Sequence, residues 1–256
     1  MNSLADSTPT GYGPAAEPQE TRPVAGSGAS ALTGLLGAVL YLSGALLPGS
    51  PPRPDAAAPQ VVRFFVDKRG PLLTGFGLEL VALAFLLWFL GGLRALVARS
   101  GRDGDRLATT MTSAWVVLVT IVATAMLPAM AIVWSGGSGA RPDLVSLAYG
   151  MQTLGTYSAS SSAAFVSIGA PCIALWRSRL LPRWLVLLGG VEMAVNVVEL
   201  IGLWSTHGAL AAGYVYGIGP LAWVLWVAAA SVCMARNRPA EGAGPLAAAQ
   251  QQTAGS

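Results

Sequence analysis

Six long apolar stretches dominate this chain, and a backbone inside hydrocarbon has few ways to fold. They run from Ser30 to Leu47, Leu72 to Val97, Leu107 to Trp134, Tyr157 to Trp176, Trp184 to Trp204 and Tyr214 to Ala235. A bilayer core about 30 Å thick takes roughly 20 apolar residues per helix. No water is present there to satisfy peptide groups, so each stretch must close its hydrogen bonds within itself. The expected fold is therefore all-α, a polytopic membrane protein built as a bundle of six transmembrane helices. The lipid bilayer is its first partner.

Composition supports that reading. Hydrophobic residues make up 54% of the chain and charged residues 11%, against about 25% charged in soluble domains. The net charge of +3 resides in short arginine-bearing loops, so it argues for membrane topology and gives no sign of nucleic-acid binding. Lys68 is the only lysine, and the heavy use of Ala, Gly, Pro and Arg points to a GC-rich bacterial genome. The location expected is the bacterial plasma membrane.

Residues 1–28 are rich in Pro, Gly, Ser, Thr and Ala and lack apolar periodicity, so a disordered N-terminal tail is expected there. They do not read as a signal peptide, which would begin with a basic region and a short apolar core. The transmembrane domain is expected over residues 29–238, and a disordered Ala/Gln/Gly-rich tail over 239–256. Arg94, Arg99, Arg102 and Arg106 follow the second stretch, and Arg177, Arg179 and Arg183 follow the fourth. Positive loops face the cytoplasm, which places both termini inside. Trp134 and Trp204 then mark the outer ends of helices, and Trp176 and Trp184 the inner ends, as interfacial aromatics do. Two pieces are expected at the outer interface, each as a short amphipathic helix or a loop. These are Val61 to Val66, and Asp143 to Met151 with Asp143 as its N-cap.

Three glutamates fall inside these stretches: Glu79, Glu192 and Glu199. A carboxyl in hydrocarbon is by default a functional-site hypothesis. Glu192, Asn196 and Glu199 recur at i, i+4 and i+7, one face of a helix, with the two carboxyls roughly 10 Å apart along the axis. Glu79 is expected at a depth close to Glu199 and in one cluster with it. Thr109, Ser113, Thr120 and Thr124 form one sector of the third helix; Gln152, Thr156, Ser160 and Ser167 form one of the fourth. Both sectors are expected to turn inward, because lipid offers hydroxyls no partner. Burial disfavours an ionised carboxyl, and a carboxyl that gains and loses a proton is what a proton-coupled carrier needs. Two carboxylates could instead hold a cation. The alternative is that protonated glutamates hydrogen-bond to Ser, Thr, Asn or backbone carbonyls and simply fix the packing. Gly189, Gly190 and Ala194 on the fifth helix, and Gly37 and Gly44 on the first, are expected at close helix contacts. Pro220 is expected in the first turn of the sixth helix, and Pro128 and Pro171 to free backbone carbonyls.

Several chemistries lack their residues. Cys172 and Cys233 form no CxxC pair. His207 is the only histidine, which rules out bis-histidine haem ligation and HExxH zinc proteases. The serines from Ser158 to Ser162 have no histidine at hand as general base. No span contains an aspartate, no EExxxR pattern occurs, and no P-loop exists. No catalytic residue, metal ligand or cofactor is assigned, and an enzyme is not the expectation.

Three segments together carry a resemblance: FFVDKRGPLL at Phe64 to Leu73, LAFLLWFLGGLRALV at Leu83 to Val97, and RSRLLPRWL at Arg177 to Leu185. With six helices and the arginine pattern, the chain resembles small uncharacterised actinobacterial six-helix integral membrane proteins, over Leu32 to Arg238. The resemblance implies fold and location, and no activity. Three functions stay open: a membrane protein of non-enzymatic but unassigned activity, a proton- or cation-coupled small-molecule carrier or its binding subunit using Glu79, Glu192, Asn196 and Glu199, and an accessory or regulatory subunit that binds another membrane protein.

Overall fold

A computed structural model describes residues 27–53, 56–135, 141–202 and 218–237. The two terminal tails, Trp204 and the His207 loop lie outside the described residues. Eight α-helices are present among them, in chain order: α1 Ser27–Leu46, α2 Ala58–Asp67, α3 Arg69–Ala98, α4 Gly104–Trp134, α5 Pro142–Thr153, α6 Ser160–Ser178, α7 Arg183–Gly202 and α8 Ile218–Arg236. A π-helical segment, Leu154–Ala159, joins α5 to α6 without a break. Six helical runs are long and apolar enough to cross a membrane: α1, α3, α4, the continuous Pro142–Ser178, α7 and α8. The protein is an all-α, multi-pass membrane protein.

The six runs close into a ring. Each packs on its sequence neighbour (α1 on α3, α3 on α4, α4 on α6, α6 on α7, α7 on α8), and α8 returns to pack on α1. Successive runs alternate in direction, so the bundle has a Trp134 end and an Arg99 end. At the Trp134 end the Arg69 guanidinium donates to the carbonyls of Val133 and Trp134, both at 3.0 Å. It thereby satisfies two carbonyls left open where α4 terminates.

Small residues set the closest approaches. A Cβ on Gly37 would meet Leu86 at 2.9 Å, and one on Gly44 would meet the Gly75 carbonyl at 2.7 Å, so α1 lies directly against α3. Gly34 and Gly92 serve the same contact from its other end, against Phe89 and Ser30. Gly189 of α7 abuts Cys172 and Trp226, while Gly190 has open space beside it and Ala194 is exposed. Of the three small residues expected at an α7 contact, Gly189 alone makes one. Pro220 stands in the first turn of α8. Pro171 removes the N–H that would bond the Ser167 carbonyl, and the indole N–H of Trp115 donates to that carbonyl at 3.3 Å. Exposed Trp176 and Trp184 mark the Arg99 end and exposed Trp134 the other.

Two expectations are corrected. Thr109, Ser113, Thr120 and Thr124 are exposed and face outward. A helical Ser or Thr can return its hydroxyl to the carbonyl one turn back, as Thr120 does to Val116 at 2.8 Å, so it needs no partner across the bundle. The inner face of α4 carries Met111, Trp115, Val122 and Met126 instead. The fourth-helix sector does turn inward, with Ser160 and Ser167 buried. The segment from Asp143 to Met151 is not a separate interfacial helix but the start of the fourth crossing. Its N-cap is Arg141, with Pro142 in the first turn and Asp143 paired to Arg141. Residues Val61 to Val66 do form a helix, within α2, which buries Val61 and Phe65 against α5.

Candidate functional site

The glutamates sit on opposite walls of the ring, Glu79 on α3 and Glu192 and Glu199 on α7. Glu199 is 2% exposed and lies where α7 ends and α8 begins. Its carboxylate accepts the backbone N–H of Gly219 at 2.9 Å and the Ser161 hydroxyl at 3.1 Å. One carboxyl therefore ties α7 to the first turn of α8 and to α6, and it meets the orphan donors of a helix N-terminus. Gly219 is required there, because a Cβ at that position would run into the Glu199 carboxyl. Glu192 is fully buried. Its Oε1 accepts from Asn196 Nδ2 at 2.5 Å, and its Oε2 has no hydrogen-bond partner among the described residues. Asn196 also donates to the Glu192 carbonyl at 2.9 Å.

Glu79 has a different setting. It is half-buried and lines a cavity of about 320 Å³ at the Trp134 end. The carboxyl makes no hydrogen bond or ion pair among the described residues. Around it stand Tyr41, Tyr149, Tyr157, Phe65 and Phe76, and Gln152 places an amide on the same wall. Local structure explains each position. Tyr157 is carried by the π-helical segment, a feature found often at functional sites, and Gly155 in the same segment lets it press against Ala125 of α4. Tyr149 donates its hydroxyl to the Pro52 carbonyl and stacks edge-on to Phe65 at 6.1 Å, so α2, α5 and the α1–α2 connection are held together at the cavity rim.

The carboxyls thus occupy adjoining compartments rather than one cluster. Tyr41, Thr156 and Pro220 belong to the wall of the Glu79 cavity and also to that of a second, interior cavity of about 30 Å³. Glu199, Asn196 and Ser160 line this smaller space. It has room for about two waters, and two polar atoms buried without partners among the described residues, Thr156 Oγ1 and Trp223 Nε1, belong to side chains on its wall. Tyr157 is within electrostatic reach of both Glu79 and Glu199, and Glu199 of Glu192. Polar groups therefore run from the Glu79 cavity through Tyr157 and Glu199 to Asn196 and Glu192.

Below the cavities the bundle is closed by rings. Tyr41 and Trp223 have centroids 6.5 Å apart, Trp223 and Trp115 4.8 Å, and Trp115 and Phe89 6.2 Å. Sequence pattern alone singles out neither the tyrosines nor this stack. The available signal is a tyrosine in each of the first and fourth apolar stretches, Tyr41 and Tyr157. Among the described residues, no group of three or more His, Cys, Asp or Glu side chains could hold a metal ion. No protein-family model, curated protein or solved structure matches the chain.

Proposed function

We propose that the protein is a proton- or cation-coupled carrier of small molecules in the bacterial plasma membrane, with both termini in the cytoplasm. The observation that supports it is Glu79: a carboxyl without a hydrogen-bond partner among the described residues, on the wall of a cavity of about 320 Å³. A packing glutamate would be sealed and bonded, as Glu199 is. On this reading Glu79 is the binding group. Glu199, Asn196 and Glu192 form the deeper polar path, and Glu199 also holds the start of α8. Alternating access would then require the aromatic stack to part. An accessory subunit would need all three carboxyls buried, and Glu79 is not.

Proteoliposomes containing an internal pH dye test this. With the membrane potential clamped, an inward gradient of sodium or of benzyltrimethylammonium should drive protons out and raise the internal pH. Glu79→Gln should abolish the signal. If no gradient of sodium, benzyltrimethylammonium, benzyl alcohol or phenylacetate moves protons in the wild-type protein, the carrier reading fails.

A further inference from the structure

The wall of the Glu79 cavity carries one ionisable carboxyl and no Lys, Arg or His among the described residues; its remaining surface is largely aromatic and aliphatic. Each feature narrows the ligand. An anion entering here would meet a carboxylate with no basic group to offset it, in surroundings where charge is weakly screened. A neutral guest would leave Glu79 as it is now, buried in part and without an ion-pair partner among the described residues. Calcium or magnesium needs six or more oxygen ligands, zinc four ligands from His, Cys or carboxylate, and the described residues offer no cluster of metal-binding side chains. A cation with an apolar body satisfies every part of the wall. Its charge meets Glu79, and ring faces of Tyr41, Tyr157 and Phe76 attract it through their quadrupoles. The volume, about 320 Å³, lies at the lower end of the range of about 300 to 1,000 Å³ typical of small-molecule sites.

We propose that this cavity binds a small organic monocation, an amine or quaternary ammonium with an aromatic or branched apolar body. The inference deepens the carrier reading and rests on it only for the transport step, not for binding itself. Charge comes from Glu79, orientation from the Gln152 amide, and discrimination against hydrated sodium from the rings. The cavity walls come from α1, α2, α3, the α5–α6 run and α8, so a bound cation would touch five elements at once.

Calorimetric titration of the purified protein in nanodiscs tests the class. The probes are benzyltrimethylammonium, benzyl alcohol and phenylacetate, which share a ring and differ in charge. The cation should bind at least tenfold more tightly than either of the others. Glu79→Gln should lose that preference, and Tyr157→Leu should weaken cation binding by about two- to thirty-fold while Tyr157→Phe restores it. Thr120→Val, on the exposed face of α4 and away from the cavity wall, should bind like wild type. Equal binding of cation and alcohol, or cation binding unchanged in a folded Glu79→Gln variant, overturns the proposal. If the cation binds as stated but no gradient moves protons in proteoliposomes, the ligand class stands and the carrier reading falls. Proton-coupled uptake of benzyl alcohol or phenylacetate without cation binding would do the reverse.

Discussion

The two ends of one ring of helices are built differently. At the Trp134 end, α1, α3, the fourth crossing and α8 stand around cavities lined by Glu79, Tyr157, Gln152 and Thr156. Toward the Arg99 end the bundle closes through Phe89 and Leu93 of α3, Met111 of α4, Leu185 of α7 and Trp226 of α8, each fully buried. These large side chains are closed off from solvent. The difference lies in side-chain choice and in the π-helical segment, which is at the Trp134 end. There the π-helical segment sets Thr156 and Tyr157 on the cavity wall. On the carrier proposal, the cavity is the open side of one access state and the aromatic stack its closed side.

The largest test of this contrast is removal of the stack's centre. Trp115 is fully buried, touches Phe89 and Trp223, and takes up the carbonyl freed by Pro171. Trp115→Ala should destabilise the purified protein by about 3–5 kcal/mol, read as a loss of thermal stability in detergent. Phe64→Ala, on the cavity rim, should lose on the order of 1 kcal/mol. Equal losses would mean that the two ends are packed alike.

A smaller effect is expected where backbones touch. Gly37→Leu would drive a side chain into Leu86 and the Ala82 carbonyl, for a loss of about 1–3 kcal/mol. Gly91→Leu, one position from the contact residue Gly92 but with nothing within 4 Å, should be tolerated or slightly stabilising, since leucine favours helix. Unfolding in the same detergent compares them directly. A Gly91 variant as damaged as the Gly37 variant would place the α1–α3 seam wrongly.

The glutamates extend the comparison to polar groups. Glu199→Gln replaces one of two equivalent acceptor oxygens with a donor next to the Gly219 N–H, while the Ser161 hydroxyl keeps the Tyr157 carbonyl at 2.6 Å. A loss of about 1–3 kcal/mol is expected. Glu79→Gln should leave stability within about 0.5 kcal/mol, because no hydrogen bond within the described structure is given up. Should Glu79→Gln be the more damaging of the two, the carboxyl on the cavity wall is structural and the binding site is lost with it.

Much of the fold is legible in the sequence, for physical reasons. Segment length and apolarity specify six spanning helices because the bilayer forbids unsatisfied peptide groups. The i, i+4, i+7 spacing places Glu192, Asn196 and Glu199 on one face, and all three are buried. The illegible part depends on which helices are neighbours. Matched depth of Glu79 and Glu199 says nothing of the distance across the ring, and the two stand on opposite walls. Hydropathy alone starts the fourth crossing at Tyr157, because Gln152 and Thr156 lower it upstream. These polar residues instead mark the cavity wall, and the helix runs on from Pro142 to Ser178.

The smallest expected effect concerns the hydroxyls of α4, where the inward expectation failed. Thr120 is exposed and its hydroxyl already donates to the Val116 carbonyl. That carbonyl also accepts the ordinary helical hydrogen bond, so removing the hydroxyl strands no donor or acceptor. Valine keeps the branched shape and prefers hydrocarbon to a hydroxyl. Its rotamer restriction in a helix is similar to that of threonine. Thr120→Val should therefore change unfolding stability by less than about 0.5 kcal/mol and leave benzyltrimethylammonium binding at the wild-type level. Ser167→Val supplies the contrast, since Ser167 is fully buried where α6 and α4 meet through the Trp115 indole, and added methyls there must displace packed neighbours. If Thr120→Val proves as harmful as Ser167→Val, α4 presents its hydroxyl face to the interior after all, and the placement of Trp115 and of the stack it anchors would have to be revised.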